Sequence, residues 1–144
     1  MTIAVTAAAL VAGCSSADTK NDYVDTVNDI QESALNAFNQ AASSTPANKQ
    51  AMVDQLEAGE AALADAVTEL ESVDVPDEAE AGHPELVAGI DDLRALFADT
   101  AKEVEAAQGA AAFTAVTALA SEGQVIGTRI DEAIDQINSD LGAD

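Results

Sequence analysis

From Tyr23 onward, apolar residues recur every three or four positions, with polar and acidic residues between them. The first stripe reads Tyr23, Val27, Ile30, Ala34, Phe38 and Ala41, interleaved with Asp22, Asp25, Asp29 and Glu32. Positions three and four apart share one face of an α-helix, so this spacing predicts an amphipathic helix. Asn21 or Asp18 is placed to cap its start. Ser43-Ser44-Thr45-Pro46 ends it and opens the next helix, with Thr45 as the expected N-cap and Pro46 at the first helical position.

The second stripe carries Met52, Leu56, Leu63, Val67 and Leu70, with Gly59 in the missing step. A helical glycine costs about 1 kcal/mol in propensity, so its presence on the apolar face suggests the close approach of a neighbour. Val73-Asp74-Val75-Pro76 should end this helix, because the residue before a proline is pushed out of the helical region. Residues 77–82 form an acidic linker with room for one helical turn. A third helix is expected from His83-Pro84, with Pro84 at the first helical position and Leu86, Ile90, Leu93, Phe97, Ala101 and Val104 as its stripe. Gly109 interrupts the pattern. A fourth segment then runs through Phe113, Val116, Ala120, Gly123, Ile126, Ile130, Ile134, Ile137 and Leu141. Gly123 and Gly127 would kink it or give it a small-residue contact face.

No stretch alternates with period two for long, so no sheet is expected. Four amphipathic helices with short connections predict an all-α, up-down antiparallel bundle over residues 22–141. The rival arrangement joins the third and fourth helices through Gly109. The composition agrees with a helical reading: much of the apolar content is Ala, the best helix former, and aromatics are only 3%. The core must therefore be built from Leu, Ile, Val and Ala.

Upstream, residues 1–13 read MTIAVTAAALVAG, without a charge. The apolar run is about ten residues, half of the roughly 20 that a membrane-spanning helix needs. Its length suits the apolar part of a signal peptide. Val11-Ala12-Gly13-Cys14 then resembles a bacterial lipobox, in which the Cys thiol takes a diacylglyceryl group and cleavage follows before it. Small residues let the backbone lie extended in a peptidase groove, and a thiol is the strongest nucleophile nearby. Acyl chains bury about 0.8 kcal/mol per CH₂, and two of them anchor stably where one does not. A signal peptide should open with Lys or Arg; since this one does not, the expected start of translation lies upstream of Met1. Residues 14–21 read as a lipidated, flexible tether of small and polar residues.

Charge narrows the choice of partners. Five basic residues face 27 acidic ones, for a net charge of −22. That balance argues against nucleic acid, whose binding depends on Lys and Arg displacing counterions. It argues equally against adhesion to anionic headgroups. Cations or basic surfaces are the favoured partners, and solubility is the simplest use of such a surface.

Reactive chemistry is sparse. There is one Cys, assigned to lipid, and one His, so metal, haem and di-iron motifs are not met. No G-x-S-x-G element or Gly-rich phosphate cradle occurs. Glu80, His83 and Glu85 lie close together in sequence and are candidates for holding a cationic ligand, although His83 reads better as part of a helix start. Arg129, in Gly127-Thr128-Arg129-Ile130-Asp131, is a further candidate, or else the partner in an ion pair to a neighbouring helix.

Together these pieces resemble a loose class of small, Ala-rich actinobacterial lipoproteins of unknown function. The likeness rests on the Val-Ala-Gly-Cys box, the Tyr23-Val-Asp-Thr-Val27 opening, the Pro76 to His83-Pro-Glu-Leu-Val87 junction and Gly127-x-Arg129-Ile-Asp131. It covers most of the chain, with the lipobox as its specific part. Members often carry further cysteines near the carboxyl terminus, which are missing here. The resemblance implies an extracytoplasmic protein held to the cell membrane by diacylglycerol on Cys14, without another cofactor. The expected role is a non-enzymatic interaction or envelope-structural module with a protein partner. The alternative is a binding protein for a cation or small cationic ligand.

Overall fold

The computed structural model describes residues 15–43 and 48–142, with side chains described for 19–40 and 48–142. Four α-helices account for nearly all of this: α1 (Ser15–Ser43), α2 (Lys49–Ser72), α3 (His83–Ala106) and α4 (Ala111–Leu141). A single 3-10 turn, Asp77–Ala79, lies between α2 and α3. The fold is an all-α four-helix bundle, as the periodicity predicts. Contacts between named residues fix its direction. On α2 and α3, Glu60 reaches Arg94 while Lys49 reaches the Glu105 carbonyl. Lower numbers on one helix meet higher numbers on the next, so the pair is antiparallel. The α3–α4 pair behaves in the same way: Gly89 lies against Ile130 and Gly82 against Ile137.

The core follows the predicted stripes. Tyr23, Val27, Ile30 and Ala34 of α1 are buried, as are all six predicted stripe residues of α3. On α2 the buried line is Met52, Val53, Leu56, Gly59, Leu63, Ala66 and Leu70, with Val67 half-buried. Gly59 meets the expectation of a close approach: a Cβ there would clash with Cε1 and Cδ1 of Phe97. The absent side chain is what lets the fully buried Phe97 ring approach the α2 backbone.

Gly109 separates α3 from α4, which rules out the joined arrangement. It has φ 61°, in the left-handed region, which L side chains avoid. The chain turns there, and Lys49 closes the end of α3. Its ammonium donates to the carbonyls of Glu105 at 2.7 Å and Ala107 at 3.3 Å. A cation suits the negative end of a helix dipole, and these are carbonyls that a helix end leaves without internal partners.

Four boundaries or registers differ from the sequence reading. α1 begins at Ser15, so it takes in most of the stretch assigned to a flexible tether at 14–21. Ser, Asp and Thr tolerate a first helical turn, and Lys20 is held by Glu78 at 2.6 Å. α2 begins at Lys49 with Asn48 as N-cap, its side chain accepting from the Ala51 N–H at 2.9 Å. The expected cap and first position, Thr45 and Pro46, lie outside the described residues. Pro84 takes the second helical position behind His83.

The fourth difference is a one-residue rotation in the first half of α4. Ala112, Ala115 and Leu119 face the core, whereas Phe113 is 62% exposed and Val116 and Ala120 are half-buried. The larger side chains suggested the wrong face. Only from Gly123 onward does the stripe run as read, with Ile130, Ile134 and Ile137 buried.

Candidate functional site

Of the places that carry polar chemistry or open space among the described residues, two bear on function. The first is the end of the bundle where α1 starts, α2 stops and α3 starts. Pro76 breaks α2, the 3-10 turn tucks Ala79 into the core, and Gly82 packs against Ile137 so that α3 can begin at His83. This brings the His83 ring against Tyr23, with Nδ1 at 3.0 Å from the Tyr23 hydroxyl and ring centroids 5.7 Å apart. The Leu70 carbonyl of α2 is also a hydrogen-bond partner of the ring. His83 therefore ties three helices together.

Burial sets the ionisation of both groups. Desolvation lowers the His83 pKa below its ordinary value, and the Leu70 carbonyl only partly restores it. Burial also pushes the Tyr23 phenol up to about 12. Both side chains are held neutral near pH 7.

The other candidates do not gather around this ring. Glu80 and Glu85 are exposed, the latter in the first turn of α3, where an acid suits the helix dipole. Arg129 pairs with Asp92 of α3 at 2.8 Å, an ion pair to the neighbouring helix. Asp92 lies nine residues along α3 from His83, a rise of roughly 13 Å. Among the described residues, no group of three or more His, Cys, Asp or Glu is arranged to hold a metal ion. Cys14 and the Val11-Ala12-Gly13 motif lie outside the described residues.

The second place is a groove between α1 and α4. α1 packs more broadly on α2 than on α4, and the seam left over is an open depression of about 350 Å³. Its apolar wall includes Leu35 and Phe38 from α1 and Ile130 from α4, with Leu93 of α3 contributing as well. Gln31, Gln124 and Asp131 are among its polar groups. Two glycines shape it differently. Gly123 sits under the Phe38 ring, where a Cβ would overlap that ring, whereas a Cβ on Gly127 would meet nothing within 4 Å. Only Gly123 makes the small-residue contact expected of the pair.

Sequence reasoning missed this groove. Its apolar residues belong to the ordinary stripes of α1, α3 and α4, and periodicity does not report how far two helices stand apart. Gly127 was the available signal, a helical glycine that no packing demand explains.

Among the described residues, no helix is long and apolar enough to cross a membrane. No family model matches the chain, and no curated protein or solved structure shows significant similarity to it.

Proposed function

We propose that the chain is an exported lipoprotein whose four-helix domain is a non-enzymatic interaction or envelope-structural module, anchored through diacylglycerol on Cys14. The observation that carries this reading is the Val11-Ala12-Gly13-Cys14 sequence at the end of a charge-free apolar run. A thiol so placed can accept lipid, and two acyl chains suffice for stable attachment. The acidity of the chain adds weight to the role of the lipid. A chain of charge −22 is repelled by anionic headgroups, so nothing else in its composition favours a membrane surface.

A module role, rather than catalysis, draws support from the chemistry of the described residues. The His83 ring is engaged by Tyr23 and Leu70 within the bundle, and the exposed carboxylates surround no shared reactive group. The same engagement weakens the cation-binding alternative at Glu80, His83 and Glu85. The first experiment is Cys14→Ser with membrane fractionation. The variant should appear in the soluble fraction and lose metabolic lipid label; a variant still held at the membrane would refute the anchor.

A further inference from the structure

We infer that the α1–α4 groove docks an amphipathic helical segment of a basic partner, with apolar side chains seated between Leu35 and Gly127 and flanking Lys or Arg meeting Asp131 and Asp135. The inference rests on the proposed module role and gives it a surface and a partner chemistry. Helix-in-groove recognition needs an apolar trough between two helices, long enough for side chains spaced one turn apart.

The trough is present, and a large apolar group stays exposed in it. Leu35 lines it and is 53% exposed. Phe113, 62% exposed, stands eleven residues before Gln124. Eleven residues make about three helical turns, so Phe113 lies on the same face of α4, roughly 16 Å before the groove. Gly127 leaves the middle of the trough without a side chain, and a Cβ there would have nothing within 4 Å.

Charge selects the occupant. Asp131 lines the groove, and exposed Asp135 lies one turn further along α4. Glu32 and Asp25 are exposed along α1. None of the five basic residues lines the groove, and each is engaged elsewhere: Lys20 with Glu78, Lys49 with the end of α3, Arg94 with Asp91 and Glu60, Lys102 with Asp99, Arg129 with Asp92. A second copy would bring another charge of −22 to an acidic rim, so self-association is the disfavoured occupancy.

The test uses the full chain and two labelled amphipathic peptides of about 18 residues, the length of five turns. One has a Leu face flanked by Lys, the other the same Leu face flanked by Glu. Fluorescence anisotropy should show the Leu/Lys peptide binding and the Leu/Glu peptide not. Gly127→Leu fills the trough without changing charge, and should weaken binding by about tenfold, as loss of an apolar anchor site does. Asp131→Asn leaves the trough open and should weaken it a few-fold, the scale of one exposed ion pair.

Equal binding to the native chain and Gly127→Leu would reduce the interaction to bulk charge attraction and overturn the proposal. So would equal binding of both peptides. Self-association that Gly127→Leu abolishes would assign the groove to a second copy. Peptide binding that appears only after residues 1–13 are removed would assign it to the chain's own apolar segment. Fractionation of Cys14→Ser reads the anchor independently. A failed peptide test beside a released Cys14→Ser variant would remove the groove and leave the anchored module standing.

Discussion

Burial decides the charge of His83, against the pull of its hydrogen bond to Leu70. Nδ1 and the Tyr23 hydroxyl share a hydrogen bond at 3.0 Å, and the Leu70 carbonyl, which can only accept, favours the protonated ring. Burial opposes a second proton, so the folded pKa lies below the ordinary 6.5. The unfolded chain then takes up the proton first as pH falls. Stability from the neutral ring is whole above about pH 6.5 and is lost as pH falls through that value toward the folded pKa. Tyr23 works in the opposite sense. With its pKa pushed from 10.0 to about 12, its contribution is whole below pH 10 and is lost as pH rises toward 12. Because His83 is the only histidine, its imidazole resonances are unambiguous. In salt of about 0.15 M, where remote carboxylates are screened beyond ~8 Å, the ring should titrate below pH 6.5 in the folded chain. A midpoint at or above 6.5 would count against the buried, neutral ring. The sequence marked His83 as part of a helix start, and that much was legible. Its partners Tyr23 and Leu70 lie 60 and 13 positions away along the chain, and no local pattern connects them.

Between elements, the scarce cations act as ties. Lys49 sits at the start of α2, where its charge opposes that helix's own dipole, yet it serves the end of α3. α3 has no basic residue in its last turn, so Lys49 supplies from a neighbour what its own sequence lacks. Lys49→Ala should lower stability by about 0.5–1 kcal/mol, the usual scale for a charge at a helix end. Its exchange signature should be faster amide exchange around Glu103 to Ala107. Chemical denaturation and hydrogen exchange check the two effects; unchanged exchange there would assign Lys49 to the solvent. The stripes of α1, α2 and α3 were readable because large apolar residues mark their buried faces. The first half of α4 was not. There Ala112 and Ala115 pack inward while Phe113 points out. Apolar periodicity assigns weight by size, and a close helix pair rewards small residues instead.

For the molecule as a whole, 27 acidic side chains on 144 residues make self-repulsion a general opponent of the compact state. Screening should relieve it. Between about 0.01 M and 1 M salt the Debye length falls from roughly 30 Å to 3 Å, so Tm should rise with sodium chloride over that range. A Tm that falls would mean that the five cationic ties outweigh the repulsion. The bundle topology was legible from four stripes and their breakers. The separation of α3 from α4 was left open by the sequence and was settled by the left-handed Gly109, whose backbone angle a pattern of side chains does not reveal.

The α1 helix runs without interruption from Ser15 into the bundle. In mechanical terms it is a stiff lever whose amino-terminal end is gripped by two fastenings, Lys20 to Glu78 and Tyr23 to His83. Tension applied at that end reaches these fastenings before it reaches the seam with α4. The Glu78 carboxyl is held below the usual carboxylate range by the Lys20 ammonium. The outer fastening therefore slackens at a pH below the ordinary carboxylate value, and the inner one weakens when His83 is protonated. Acidification would thus lower the force at which α1 peels from its neighbours, and the Tyr23–His83 clasp would set the pH at which that softening begins.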